Sequence, residues 1–378
     1  MTAEERPTGV DDVDNEPLTE TEMESVRRAP KGGMGTSPNV KLIAIAIAVI
    51  IISVVIWQVW FTNPDRSDWA YEMAQVNEAN DAGFHGQGIT VGIVDTGINP
   101  DHQVFKDADI VKWKDFVNGR SKPYDDQGHG TSMASIIAAQ EVIPGGATKV
   151  DLIIAKVLNS KGVSSDKRVG DGVWFCIDPN GDGDYRDGAD VISMSLGGRT
   201  SYLELIIGTE SQAAITEAID HGIIVIAAAG NDGENDDGEV STPGRLRNVV
   251  CVGAVDEDGK VATFSSKGRN LLDRHPHNKP EVVAPGAAIV AAHYRGGYAI
   301  GSGTSQATAF MAACLAVVLS ALPHLAHNGA EGGDLATVIM IKQAIMDASK
   351  PLSGAERPHD NSGGYGLVQT MDLIDELG

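Results

Sequence analysis

The sequence predicts a three-layer α/β domain, a mostly parallel central sheet with helices on both faces, preceded by one transmembrane helix. Three observations carry this expectation. From about residue 65 onward, strand-length apolar runs rich in Val and Ile recur between Gly and Asp residues. Such runs read as strands buried on both faces. Helical patterns lie between or after them, and that alternation makes a parallel sheet covered by helices. Finally, a separate uncharged apolar segment precedes the first run.

The elements follow in order. Residues 1–39 are polar, acidic and rich in Pro, Gly, Thr and Glu. They bury too little apolar surface to fold and are expected to be a disordered cytoplasmic tail. Leu42–Phe61 is twenty residues with one amide, Gln58, and no charge. At about 1.5 Å per residue it spans a hydrocarbon core of about 30 Å. Trp57 and Trp60 stand at its far end, where an aromatic belt forms. A cleaved signal peptide has a shorter apolar region and a small-residue cleavage site. A buried core helix is the other competing reading. The expectation adopted is a membrane anchor over residues 40–61. Arg27, Arg28, Lys31 and Lys41 precede it, and only Arg66 follows closely. This bias places the N-terminus in the cytoplasm and the remainder outside the cell membrane.

Residues 65–378 show no linker and no repeat, so they read as one domain. Strands are expected at Ile89–Val94, Leu152–Val157, Val191–Leu196, Ile223–Ala228 and Val249–Val255. Helices are expected at Thr131–Val142, Ser211–His221, Ser305–Ala321 and Leu335–Ala348. Apolar residues make up 42% of the chain and charged residues 21%, which allows a sizeable core. The formal net charge of -23 argues against a nucleic-acid partner, which requires a basic face. The three cysteines, Cys176, Cys251 and Cys314, form no disulfide framework and no metal-binding CxxC pair. Cys251 and Cys314 lie in apolar runs and read as buried small hydrophobes.

Three short segments carry chemistry. ITVGIVDTGIN places Asp95 at the end of a buried strand, DQGHGTSMASIIAA places His129 at the mouth of a helix, and GSGTSQATAF places Ser305 at the start of another. In open α/β sheets the carboxyl ends of the strands form the ligand crevice. A serine hydroxyl is a weak nucleophile and must hand its proton to a base as it attacks. Histidine is the natural base near neutral pH, and an aspartate fixes its tautomer and stabilises the imidazolium. Taken singly, Asp95 reads as a turn residue, His129 as a helix cap and Ser305 as an N-cap. Taken together they read as a catalytic triad in the chain order Asp, His, Ser.

An acidic loop is the candidate metal site. Asp178, Asn180, Asp182, Asp184, Asp187 and Asp190 place oxygen donors at near-alternate positions, with Gly183 at the sixth place of the loop. That spacing is similar to a calcium loop, and hard oxygen ligands favour Ca²⁺ over zinc. The twelfth place is Ala189 rather than a bidentate Glu. A solvated acidic turn is the plain alternative. Calcium is expected in a structural role. The pair His275 and His277 reads as part of a polar surface loop.

VDTGIN, GHGTS and SGTSQA, in that order, resemble the subtilisin-like serine peptidases, the subtilases. VISMSLGG, VIAAAGND, VCVGAVDEDGKVATFSSKG, EVVAPGAAIVA and GYGLVQ extend the likeness, which covers about residues 65–378. The resemblance implies that Asn231 supplies the side-chain amide of an oxyanion hole, beside the backbone N–H of Ser305. It implies that Ser195, Leu196, Gly197 and Gly198 wall the substrate cleft and pair with an extended peptide, with a second edge near Gly162. Ala228 and Gly230 are then expected to line the pocket for the residue before the cleaved bond. The family's Met-Ala-x-Pro after the serine reads Gln306-Ala307-Thr308-Ala309 here, and its second histidine after His129 is Ser132. Neither change touches the triad. Family members outside the cell usually carry a folding propeptide, and only a few residues separate Phe61 from Trp69 here. The expectation is an enzyme that folds without such a segment and stays tethered. The rival is a catalytically silent binding module on the same anchor.

Overall fold

The structure is a computed structural model that describes residues 66–197, 209–235, 240–268, 276–356 and 358–378. The expected anchor at 40–61, Gly198 and His275 lie outside the described residues.

Seven strands form one sheet, all in parallel register: β1 (Thr90–Asp95), β2 (Asp109–Asp115), β3 (Asp151–Lys156), β4 (Val191–Met194), β5 (Ile224–Ala228), β6 (Val250–Val255) and β7 (Val282–Pro285). Their order across the sheet is β2-β3-β1-β4-β5-β6-β7. Strands β4 to β7 are buried along their whole length, as the continuous Val/Ile runs required. Strand β2, DIVKWKD, escapes the sequence reading because it is an edge strand with exposed and charged residues along it. Strands β8 (Ile289–Ala292) and β9 (Tyr298–Gly301) make a separate antiparallel pair.

The helices are α1 (Asp68–Met73), α2 (Val76–Asp81), α3 (His129–Ala138), α4 (Asp166–Ile177), α5 (Glu210–Asp220), α6 (Thr304–Ala321), α7 (Leu335–Asp347) and α8 (Thr370–Leu377). Helix α3 begins two residues before its expected start and ends four residues before its expected end. Ala139 leaves the helical region at ψ 140°, and Val142 has a positive φ of 65°. Helix α4 was not expected; its Gly170 and Gly172 weaken the helical pattern. Both are packing positions: a Cβ at Gly172 would lie 2.4 Å from Val157 Cγ1, and one at Gly170 3.0 Å from the Glu210 carbonyl oxygen.

Helix α6 is long and apolar enough to cross a membrane, yet 89% of it is buried in the protein. It packs against α3 and strands β4 to β7 and forms the centre of the core with Phe310, Met311, Leu315 and Leu319. All three cysteines are free and buried. Burial pushes the thiols of Cys176, Cys251 and Cys314 far up, so they are inert apolar fillers.

Candidate active site

The chain runs from β1 outward to β2 and β3 and then crosses back to β4, so β1 and β4 are neighbours whose connections leave in opposite directions. A crevice opens at the carboxyl edge of such a switch point. Asp95 is the last residue of β1, Ser195 follows β4, and Asn231 follows β5. Ile93 pairs with Ser193 and Met194 with Ala227, so the three ends lie in a row.

Asp95 is fully buried. Its Oδ1 accepts from the Thr96 N–H, and both carboxylate oxygens lie 2.9 Å from His129 Nδ1. This is the hydrogen bond that fixes the imidazole tautomer, with Nδ1 donating. His129 is the first residue of α3, and the turn before it is held by Asp125. The Asp125 carboxylate accepts from the backbone N–H groups of Gln127, Gly128 and Thr131 and from the Thr131 hydroxyl. Gly128 has φ 112°, and a Cβ there would strike the Tyr294 ring at 2.5 Å. Burial by itself lowers the His129 pKa, but the charge and hydrogen bond of Asp95, with help from Asp125, outweigh it, and the net direction is upward.

Ser305 is the second residue of α6 and is 8% exposed. Its Oγ donates to the Ser195 carbonyl at 3.1 Å, and Ser195 Oγ in turn donates to the Ser305 carbonyl at 2.9 Å. His129 Nε2 is buried without a hydrogen-bond partner. The structure therefore joins Asp95 to His129 and bonds Ser305 Oγ to the strand-β4 end, with no hydrogen bond between that hydroxyl and His129 Nε2.

Asn231 is held by its oxygen. Its Oδ1 accepts from the Thr304 N–H at 2.9 Å and from the Thr304 hydroxyl at 3.0 Å, and the Thr304 hydroxyl also accepts from the Gly230 N–H. The amide donors are thereby left for another acceptor. Ala228 is buried, and Gly230 stands at φ 108° where a Cβ would meet Ser241 Oγ at 2.5 Å. Leu196 is half-buried and Gly197 exposed. Gly162, at φ 71°, closes a turn with its N–H donating to the Asn159 carbonyl. Sequence reading missed Asp125, Thr304 and Lys156. The signal for Lys156 was a single charge inside the apolar run LIIAKVL.

The acidic loop is described, and Asp190 lies at its base. It is buried, with Oδ2 accepting from the Thr90 N–H and Oδ1 from the His327 N–H, so it pins the loop base to β1. Burial pushes its pKa up. Asp178 caps the loop by accepting from the N–H groups of Gly181, Asp182 and Gly183. Asp184 is paired with Arg186, which lowers its pKa to about 2. Asn180 donates to Asp182, and Asp187 pairs with Lys112 at 3.3 Å. Among the described residues no group of three or more His, Cys, Asp or Glu side chains converges as a metal site. One carboxylate oxygen, Asp187 Oδ1, is buried without a partner. The donors are of the chemical kind a hard cation takes.

A model of the subtilase family matches residues 86–366. The chain is 34% identical over 286 residues to serine protease AprX of Bacillus subtilis (strain 168), covering 68% of this chain and 63% of AprX. It is 34% identical over 250 residues to subtilisin DY of Bacillus licheniformis, covering 65% of this chain and 82% of that protein. To the intracellular serine protease of Paenibacillus polymyxa it is 35% identical over 242 residues, covering 62% of this chain and 67% of the relative. The mostly parallel seven-stranded sheet agrees with that kinship. The chain belongs to the subtilase family and is a subtilisin-like serine endopeptidase.

Proposed function

We propose that this chain cleaves extended polypeptides at the outer face of the cell membrane, tethered through Leu42–Phe61, with Ser305 as nucleophile. The observation that carries the chemistry is the Asp95–His129 pair, 2.9 Å at both carboxylate oxygens, with Nε2 buried and without a partner at the strand ends. Ser305 Oγ attacks the peptide carbonyl carbon as His129 Nε2 takes its proton. The oxyanion that forms is met by Asn231 Nδ2 and the N–H of Ser305 at the start of α6, where the helix dipole favours negative charge. His129 then gives the proton to the leaving amine, and water repeats the sequence on the acyl-enzyme. Asp95 holds the imidazole throughout. The peptide adds a strand along Ser195–Gly198 and against Gly162, with its preceding residue toward Ala228 and Gly230. The tether is supported by the length of its apolar run and by the Lys/Arg bias before it. Structural calcium is supported by the donor chemistry of the acidic loop.

One observation favours a second reading, a catalytically silent module. Ser305 Oγ is bonded to the Ser195 carbonyl rather than to His129. Labelling of the full chain in membranes with a serine-directed fluorophosphonate separates the two. Wild type is expected to label, and Ser305→Ala is not. A folded wild type that stays unlabelled would establish the silent module.

A further inference from the structure

Lys156 is among the largest fully buried side chains of the described residues, at 0% exposure. It ends β3, in register with Asp95 at the end of β1 and with Asp115 at the end of β2. A buried ammonium is costly unless each of its donors is used. Here all three are. Nζ donates to the Thr96 carbonyl at 2.5 Å, to Asp126 Oδ1 at 2.7 Å and to the Leu158 carbonyl at 3.0 Å. It also lies 4.9 Å from the centre of the Tyr124 ring.

These partners belong to the two segments that carry the acid–base pair. Thr96 follows Asp95 directly, its N–H donates to Asp95 Oδ1, and its hydroxyl accepts from the Gly130 N–H. Asp126 follows Asp125, which holds the first turn of α3 under His129. The turn after Asp95 also touches the turn before His129: a Cβ at Gly97 would lie 2.1 Å from the Tyr124 carbonyl oxygen. One ammonium, itself closed to solvent, therefore ties the Asp95 turn to the His129 turn, while its Asp126 arm is a third exposed. We propose that Lys156, with Asp126 as its outer arm, is a positioning residue that sets the alignment of Asp95 with His129. It touches no substrate. It fixes the backbone from which both side chains project, and misplacement by about 1 Å can cost 10²-fold in rate.

The inference rests on the triad reading, so wild type and Ser305→Ala are carried as controls in the same full-chain preparation. The variants are Lys156→Met, Asp126→Ala and Asp126→Asn. The readouts are the rate of fluorophosphonate acylation, kcat and KM on a peptide substrate, and the melting midpoint. Lys156→Met is expected to lower kcat and the acylation rate by about 10–100-fold with KM within about twofold. Asp126→Ala is expected to lower kcat by about tenfold, and Asp126→Asn, which keeps the acceptor oxygen, to restore most of it. A purely structural role would lower the midpoint and leave the acylation rate of the folded enzyme at the wild-type value, and that result overturns the proposal. If Lys156→Met does not fold, the two Asp126 variants decide: equal, wild-type rates in both overturn it. Failure of wild type itself to label would instead defeat the triad reading.

Discussion

Asn231 shows how a residue's role is set by which of its atoms is already occupied. Thr304 takes the oxygen twice, which leaves the amide nitrogen as the donor proposed for the oxyanion. Replacing Asn231 with Ala is expected to lower kcat by about 10²–10³ with little change in KM, a magnitude borrowed from subtilisin rather than calculated for this chain. Steady-state kinetics on a peptide substrate measures it; a rise in KM with kcat unchanged would place Asn231 in substrate binding instead. His129 sets the pH dependence. Its carboxylate partner raises its pKa above the ordinary 6.5 against the pull of burial. Only the neutral imidazole is a base, so kcat/KM rises as pH climbs through that raised value. The acid limb of the profile is expected above pH 6.5, and a limb at or below 6.5 would show that the Asp95 pairing does not govern catalysis. The same shift stabilises the fold most below the unfolded-state pKa, and that contribution fades as pH rises through the folded one.

At the scale of elements, the loop between α4 and β4 carries Asp178, Asp182, Asp184, Arg186, Asp187 and Asp190 in a short span beside the sheet. Arg186 answers Asp184 and Lys112 answers Asp187, but no salt bridge is formed by Asp178 or Asp182 among the described residues. Close carboxylates repel unless a cation lies among them. If calcium is that cation, a chelator is expected to lower the melting midpoint, and added calcium to restore it, as mass action requires. An unchanged midpoint would leave the loop as a turn satisfied by its own backbone N–H groups. The elements also explain what the sequence pattern conveyed. Buried strands β4, β5 and β6 declared themselves as apolar runs, because a strand covered on both faces tolerates no polar alternation. Edge strand β2 did not, since half of it faces water. Helix α4 was masked by two glycines whose purpose is close packing, visible only once Val157 and the α5 start are in place.

At the scale of the whole molecule, the proposed arrangement, an acidic body on a membrane anchor, rests on the net charge of -23 and the apolar segment at 42–61. The full chain is expected to sediment with membranes, to resist high-salt and alkaline washing, and to be released by detergent. Release by salt alone would remove the anchor, and an extracted chain starting near residue 69 would show that the body is shed. Two apolar stretches here are long enough to span a bilayer, one at 42–61 and one in helix α6. Helix α6 is the core because the sheet and α3 close over it and because it delivers Ser305 to the crevice. By itself the sequence determined the fold class and the family and supplied the three segments of the proposed triad, since each rests on local patterning: apolar period, glycine turns and residue type at strand ends. Tertiary structure alone decided which carboxylates are spoken for, such as Asp190 by backbone donors, and which buried charge braces the acid–base pair. The physical reason is that hydrogen-bond satisfaction and burial are properties of neighbours distant in the chain, as Lys156 is from Thr96 and Asp126.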